Sequence, residues 1–275
     1  MTIAPSAAPR TARNSLLRRL GSDDWARISP SLELVPIRVR QIVHDIDQPI
    51  EHVYFVEEGM VSIVAATLDG TAVEVGTVGR EGMAGVAVAL GSSSASVQAF
   101  GQVEGKAYRM SAAALRDAMA TSDRLRMLLA NYTLAFLTQC MQGSACNRLH
   151  SMRQRCARWL LETHDRVDSD SFALTHEFLA QMLGVRRATV TEVAGQLQRD
   201  GMIQYEYRRI TIADRKKLEA TACECYAIVQ REYRRLIDGE DCESLFARKR
   251  TAESGETALH EPEPGSQPAP IVDGS

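Results

Sequence analysis

The chain has 275 residues, a formal net charge of −3 and 45% hydrophobic residues, enough for two domains with separate hydrophobic cores. No apolar run reaches the roughly 18–20 residues that a membrane-spanning helix needs, and the first residues lack the apolar core of a signal peptide. We therefore expect a cytoplasmic protein with no membrane partner, whose six cysteines are reduced thiols and do not form disulfides.

Residues 14–111 are predicted to form a β domain that follows a disordered tail, residues 1–13. Short β-rich runs cover residues 53–56, 60–66, 73–78, 97–100 and 106–110. Glu57-Glu58-Gly59 and Asp69-Gly70 separate the first three runs, and an Asp-Gly pair is typical of a β-hairpin. Several short strands at regular spacing predict an antiparallel sandwich or jelly roll.

Residues 112–146 are predicted to form a helical connector that also holds a homodimer together. One apolar stripe recurs at spacings of three and four residues, close to the seam of a coiled coil. Its members are Leu125, Leu129, Tyr132, Phe136 and Cys140. A second apolar face, expected to pack on the β domain, consists of Leu128, Leu134 and Leu137. The alternative is one helix buried within a monomer.

Residues 147–217 are predicted to form a winged helix-turn-helix domain, beginning with a helix at about 149–164. Apolar residues at helical spacing over 176–183 end at Gly184, which can leave a helix in a left-handed conformation. A second helix, from about 186 to 200, buries one apolar stripe and leaves a polar face suited to phosphates and base edges. The alternative interpretation is an ordinary helical hairpin with a solvated arginine pair.

Two short strands, residues 202–205 and 210–212, are predicted around a basic tip that holds Arg208 and Arg209. Such a wing places its arginines over the phosphate backbone. Residues 147–217 carry 13 Lys and Arg against 9 Asp and Glu, a net charge of about +4 on an acidic chain. This indicates a local face for double-stranded DNA. Residues 218–251 are predicted to be a helical extension, with a helix over 218–237, and 252–275 a second disordered tail.

The order of β domain, long helix and winged helix-turn-helix resembles the Crp/Fnr family of bacterial transcription regulators over residues 14–215. PIEHVYFVEEGMVSIVA and VGREGMAGVAVALG are similar to the family's sensor domain, and LTHEFLAQMLGVRRATVTEVAGQLQRDGMI is similar to its helix-turn-helix. The resemblance implies an α+β fold with an N-terminal antiparallel jelly roll and a long dimerisation helix. It implies a homodimer on a pseudo-palindromic operator, with RNA polymerase a candidate partner. With no catalytic motif present, we predict that the protein is not an enzyme.

The resemblance places Arg187 at the start of the recognition helix, where members carry a base-reading arginine that can address guanine O6 and N7. Ala188 and Glu192 depart from the best-known pattern, so we expect an operator different from the cyclic-AMP receptor site. Glu192 either accepts from a cytosine amino group or pairs with an arginine. The predicted DNA-binding residues are Thr175, Arg186, Arg187, Thr189, Thr191, Glu192, Gln196, Arg208 and Arg209. Of these, Thr175, Thr189 and the wing arginines are predicted phosphate contacts.

Cyclic-nucleotide-binding members use a glutamate for the ribose hydroxyl and an Arg-Ser/Thr pair for the cyclic phosphate. Glu81 falls near the glutamate position, but the arginine's place reads Ser-Ser-Ser-Ala-Ser over residues 92–96. A buried phosphate would lose its charge-assisted contacts without the arginine, so we expect no cyclic-AMP binding. The candidate effector-pocket residues are Glu81, Gly82, Ser93 and Ser94, and the effector is undetermined.

The sequence predicts no metal site and no cofactor. Iron–sulfur sensors of the family carry cysteines near the N-terminus, whereas the first cysteine here is Cys140. Cys223 and Cys225 are expected to point to different faces of one helix. His44 and His52 leave a haem ligand as an alternative. The alternative function is a small-molecule-binding protein whose helix-turn-helix is an interaction or scaffolding module; the basic wing favours the DNA-binding regulator.

Overall fold

The computed structural model describes residues 11–240; residues 1–10 and 241–275, which hold the C-terminal tail and most of the N-terminal one, lie outside the described residues. The helices are α1 Ser15–Arg18, α2 Ser22–Ile28, α3 Val86–Ala89, α4 Ala112–Thr121, α5 Asp123–Leu149, α6 Met152–His164, α7 His176–Leu183, α8 Arg187–Arg199, α9 Arg215–Thr221 and α10 Cys225–Tyr233. The strands are β1 Glu33–Ile37, β2 Ile42–His44, β3 His52–Ala66, β4 Ala72–Val78, β5 Met83–Ala84, β6 Gln98–Ser111, β7 Ser171–Ala173, β8 Ile203–Glu206 and β9 Arg209–Ile212. A π-helical turn, Arg234–Asp238, follows α10.

The N-terminal half is built on a six-stranded antiparallel sheet, which confirms the predicted β domain. The strand order is β1-β6-β3-β4, with β2 paired to β6 and β5 paired to β3. β3 and β4 form the hairpin predicted at Asp69-Gly70, where the Thr67 N–H donates to the Thr71 carbonyl at 2.8 Å. Aliphatic side chains of β1, β3, β4 and β6 pack together in one of the hydrophobic cores of this half.

Two predicted breaks in the sheet are wrong, because β3 and β6 each run through them as one strand. Glu57-Glu58-Gly59 is a bulge in β3 rather than a turn, and the register against β6 shifts between Val56 and Met60. Gly59 has a φ of 84°, and a Cβ there would lie 2.6 Å from the Val103 carbonyl oxygen. A bulge bends a strand without ending its pairing, so the ladder continues on both sides.

The predicted connector is two helices, α4 and α5. Ser122 separates them with an extended backbone, and its hydroxyl accepts the Leu125 N–H at 3.0 Å as the N-cap of α5. From there α5 continues for 27 residues to Leu149, a little beyond the predicted end.

The predicted dimer seam on α5 is wrong. Leu125, Leu129 and Tyr132 are each only 1% exposed within the core of their own chain, so they are not available to a partner. Phe136 and Cys140 are half-buried beside β4. Two residues expected to pack on the β domain, Leu134 and Leu137, are instead about half exposed. Leu125, Leu129 and Tyr132 therefore face the core of their own chain, whereas Leu134 and Leu137 face solvent and Leu128 packs against that core.

The C-terminal half has its own core and a three-stranded antiparallel sheet with the order β7-β9-β8. Trp159, Leu160 and Leu161 of α6 are buried in this core. The predicted helix over residues 218–237 is wrong as one element, since α9 ends at Thr221 and α10 starts at Cys225. β7, β1, β2, α1 and α2 have no counterpart in the sequence prediction. No helix among residues 11–240 is long and apolar enough to cross a membrane.

Candidate nucleic-acid interface

The helix-turn-helix is formed by α7 and α8, as predicted. The Thr175 hydroxyl accepts the Phe178 N–H at 3.1 Å and so caps α7. Gly184 ends α7 with a φ of 64°, and the next N–H, that of Val185, donates back to the Ala180 carbonyl at 2.9 Å. This left-handed ending suits glycine and turns the chain into α8 within two residues.

α8 presents a basic N-terminal end to solvent. Its buried stripe is Val190, Val193, Ala194 and Leu197. Arg186 is the N-cap residue and Arg187 is the first helical residue; both are exposed, and the first turn contains no acidic residue. Helix N-termini carry partial positive charge, so two arginines there are unfavourable unless an anion binds. Of the other predicted DNA contacts on α8, Thr191 and Glu192 are exposed and Thr189 and Gln196 are half-buried.

His176 connects the two helices and the wing, a role that sequence reasoning missed. Its Nδ1 lies 3.0 Å from the Thr191 hydroxyl, which itself donates to the Arg187 carbonyl at 3.1 Å. The His176 ring stacks on Tyr205 of β8 at 4.2 Å between centroids. Burial, followed by the charge of Arg187, lowers the His176 pKa. A neutral His176 therefore positions α8, and Thr191 is a bonded structural residue as well as an exposed one.

The wing is the β8–β9 hairpin, with Tyr207 and Arg208 at its tip. Both have a positive φ, 44° and 66°, as the two central residues of a type I′ turn require. Tyr207 is 98% exposed, and sequence reasoning missed it. Arg208 and Arg209 are exposed, but the Arg209 guanidinium donates to the Ser171 carbonyl at 3.2 Å. Arg208 is thus the arginine of the pair that points freely from the tip.

Two family models match the chain. Residues 35–122 match the cyclic nucleotide-binding domain, and residues 154–221 match the Crp-like helix-turn-helix domain, together more than half of the chain. The chain belongs to the Crp/Fnr family of transcription regulators. These are DNA-binding proteins and not enzymes. No curated protein sequence matches the chain.

Solved structures share the fold of this Crp/Fnr regulator. FixK2 from Bradyrhizobium japonicum superposes with a TM-score of 0.61 at 19% identity, covering 70% of this chain and 98% of that one. A putative Crp/Fnr regulator from Eubacterium rectale gives 0.57 at 20% identity, with coverages of 76% and 98%. TTHB099 from Thermus thermophilus gives 0.57 at 22% identity, with coverages of 68% and 96%.

The sensor domain of this Crp/Fnr regulator uses Glu81 to hold the DNA-binding half. Arg166 lies just after the end of α6. Glu81 Oε1 accepts from Arg166 Nε at 2.9 Å and from Arg166 Nη2 at 2.7 Å. Burial opposes ionisation of Glu81, but the charge and hydrogen bonds of Arg166 outweigh it, so the carboxyl pKa is lowered. This candidate effector-pocket residue is therefore the anionic partner of a buried arginine.

The other predicted effector residues lie in two different settings. Gly82 is buried beside the Tyr132 ring, and its carbonyl accepts from Asn14 Nδ2 at 2.7 Å. Ser93 and Ser94 lie on an exposed loop, where the Ser93 carbonyl accepts the Ile50 N–H at 2.8 Å. Of the haem alternatives, His44 directs its Nε2 to the His52 carbonyl oxygen at 2.8 Å. That nitrogen is therefore already engaged within the domain.

A second contact between the halves involves Glu74 of β4. The Trp159 indole donates to Glu74 Oε1 at 2.7 Å, and the Ser62 hydroxyl lies 2.5 Å from Oε2. Burial raises the Glu74 pKa to about 7, although both hydrogen bonds act to lower it. The sheet and α6 thus share a carboxyl group that titrates near neutrality.

Four potential metal ligands also converge, contrary to the prediction that Cys223 and Cys225 face apart. Cys223 lies in the turn before α10 and Cys225 is the first residue of that helix, so their thiols meet. Cys146 and His150, at the end of α5, complete the group. A pattern that could have suggested this is Cys-x3-His, which places both side chains on one helical face.

Proposed function

We propose that this chain is a homodimeric transcription regulator that binds a pseudo-palindromic DNA site through α8 and the wing. In this proposal, its sensor domain does not respond to cyclic AMP or cyclic GMP. The observation that carries the proposal is the exposed Arg186-Arg187 pair at the N-terminal end of α8. Without a bound partner, the two guanidinium groups are repelled by each other and by the positive end of the helix dipole. Binding of phosphates or guanine acceptors would replace this repulsion with favourable interactions.

Different side chains serve different parts of the DNA in this proposal. Arg187 reads a base, because it is exposed at the first helical position and makes no hydrogen bond through its guanidinium among those described. Arg208, at the free tip of the wing, contacts phosphate and adds affinity without sequence information. Thr175 and Thr189 contact phosphate from the ends of the two helices. Glu192 accepts a hydrogen bond from a cytosine amino group. Alternatively, it keeps the 3.4 Å hydrogen bond that it accepts from Gln196 Nε2 and contacts no base.

The dimer in this proposal forms through the outer face of α5. An exposed stripe repeats at alternating spacings of three and four residues, the pattern of a coiled-coil seam. Its members are Met127, Ala130, Leu134, Leu137 and Met141. A second copy of the chain would bury this stripe symmetrically, and the two recognition helices would then reach two half-sites.

The proposed indifference to cyclic nucleotides has two supports. Glu81 is already engaged by Arg166, so a ribose hydroxyl would have to compete with a buried ion pair. The loop over residues 92–96 offers hydroxyl groups and no guanidinium for a cyclic phosphate. Both features weaken the contacts that a cyclic nucleotide needs.

The proposal is tested by selecting bound sequences from a random DNA pool with the purified full chain. We expect enrichment of an inverted repeat whose half-sites lie about one helical turn apart. A parallel selection with the Arg187→Ala variant is the control: this variant should still bind DNA but should not enrich the same repeat. Enrichment of no sequence by the wild-type chain would contradict the proposal.

A further inference from the structure

Cys146, His150, Cys223 and Cys225 form a compact cluster where the end of α5 meets the turn before α10. One ligand atom from each residue lies within 4.8 Å of all the others. The sulfurs of Cys146 and Cys223 are 3.4 Å apart, and His150 Nδ1 is 3.4 Å from the Cys225 sulfur. All three thiols are buried, in a group separate from the main hydrophobic cores.

The two measured separations are close to the edges of a tetrahedron around one zinc ion, and the other ligand atoms lie within 4.8 Å of one another. Zinc binds thiolate sulfur at about 2.3 Å and imidazole nitrogen at about 2.0–2.1 Å, which places tetrahedral neighbours about 3.5–3.8 Å apart when at least one of them is sulfur. The Cys146–Cys223 and His150–Cys225 separations, both 3.4 Å, lie within about 0.4 Å of those edge lengths. Three cysteines and one histidine are also a ligand set of structural zinc sites, in which protein fills every position.

The surroundings hold the ligands in a suitable orientation. His150 presents Nδ1 to the cluster, and its other nitrogen, Nε2, lies 3.3 Å from the Glu224 carboxylate. Metal-bound histidines usually donate their second nitrogen to a carboxylate, a backbone carbonyl or water, and such a partner fixes the ring and increases its basicity. Gln142 Nε2 donates to the Cys225 sulfur at 3.1 Å, the kind of contact that stabilises a thiolate.

We propose that Cys146, His150, Cys223 and Cys225 bind one zinc ion that fastens α5 to the C-terminal helices of the same chain. The site has a structural role, since the four protein ligands leave no position for substrate. Its location gives that role a consequence. α5 carries the proposed dimer face, while α9 and α10 follow the wing directly. The ion therefore sets how rigidly the DNA-binding domain is attached to the connector.

Two other states of the same thiols are distinguishable from zinc binding. A Cys146–Cys223 disulfide would bring the sulfurs to about 2.05 Å and remove two ligands. An iron–sulfur cluster would place several irons and sulfides between the ligands and hold them farther apart than one ion does. The short separations, 3.4 Å for two ligand pairs and at most 4.8 Å for the rest, favour a single ion.

The test is the metal content of the full-length chain, purified under reducing conditions and measured by mass spectrometry. We expect one zinc per chain. The Cys146→Ser, Cys223→Ser and Cys225→Ser variants should lose it. Cys140→Ser, a matched control on α5 whose thiol lies outside the cluster, should keep it. His150→Cys should also keep it, because a fourth thiolate replaces the imidazole, and this distinguishes ligation from misfolding.

Cobalt substitution of the wild-type chain provides a second readout that needs no variant. Cobalt in this site should give the intense visible bands of a tetrahedral ion and near-ultraviolet thiolate-to-cobalt charge transfer. Removing the metal with a chelator should lower the melting temperature by about 5 °C or more, and added zinc should restore it. A folded chain without bound metal, a Cys146–Cys223 disulfide, or iron with acid-labile sulfide would each overturn the proposal. DNA binding is not part of these readouts.

Discussion

Arg166 closes on Glu81 with two hydrogen bonds of 2.7 and 2.9 Å, joining the DNA-binding half to the sensor domain. Glu81, a candidate effector-pocket residue by sequence, is therefore part of the interface between the two halves. The Arg166 side chain is only 6% exposed, so removing Glu81 would leave a buried guanidinium without a charged partner, which is costly.

The first prediction concerns this ion pair. Glu81→Gln should lower the free energy of unfolding by about 3–5 kcal/mol, because it leaves the Arg166 guanidinium buried and unpaired. Adding Arg166→Met should recover part of the loss. Urea denaturation of the two single variants and the double variant measures the coupling. Strictly additive losses would show that the two groups do not stabilise each other.

The second prediction concerns the sensor domain and cyclic nucleotides. We expect that millimolar cyclic AMP or cyclic GMP leaves the melting temperature unchanged. A ligand present at 100 times its dissociation constant would add about 2.7 kcal/mol, which a melting curve resolves easily. A rise in the melting temperature would contradict the proposed indifference to cyclic nucleotides. A larger rise in the Arg166→Met variant would indicate that the nucleotide competes with Arg166 for Glu81.

The third prediction concerns pH and Glu74. Its folded-state pKa, about 7, lies above the usual 4.5, so the unfolded chain releases this proton at lower pH than the folded chain. The folded state therefore loses stability as pH rises from about 4.5 to 7, by about 1–3 kcal/mol. Glu74→Gln lacks this loss. Urea denaturation across the range should show the stability of the wild type falling relative to that of the variant; parallel curves would show that Glu74 ionises normally.

The fourth prediction separates base reading from phosphate contact. Arg187→Ala should cost about 1–3 kcal/mol on the selected operator and little on random DNA. Arg208→Ala should weaken both about equally and lower the salt slope by about one. Fluorescence anisotropy over a salt series measures both quantities, and Arg199→Ala, at the other end of α8, is the control. Equal losses on both DNAs for Arg187→Ala would make it a phosphate contact.

Local patterns predicted the DNA-binding motif well. Helical and strand periodicity reveals features that depend only on neighbouring residues. These features are the turn at Gly184, the apolar stripe of α8 and the paired strands of the wing. The seam on α5 was mispredicted for a related reason. Leu125 and Leu134 both belong to apolar stripes on one helix, and periodicity alone does not say which stripe meets the chain's own core.

Contacts between distant residues were not accessible from the sequence. Glu81 and Arg166 are 85 positions apart, and Cys146 and Cys223 are 77 apart. Neither pair has a short spacing that suggests a partner. The break between α9 and α10 was not predicted from the sequence either. Cys223 and Cys225 meet because α9 stops at Thr221, whereas a continuous helix would have turned them apart.

The central claim is that a homodimer binds two half-sites, one with each recognition helix. The most direct test of this claim changes the spacing of the selected half-sites. Sedimentation with the full operator should show two chains per duplex. Inserting five base pairs rotates one half-site by about half a helical turn, so binding should weaken at least tenfold, close to the affinity for a single half-site. Unchanged affinity after the insertion, or one chain per duplex, would contradict the account.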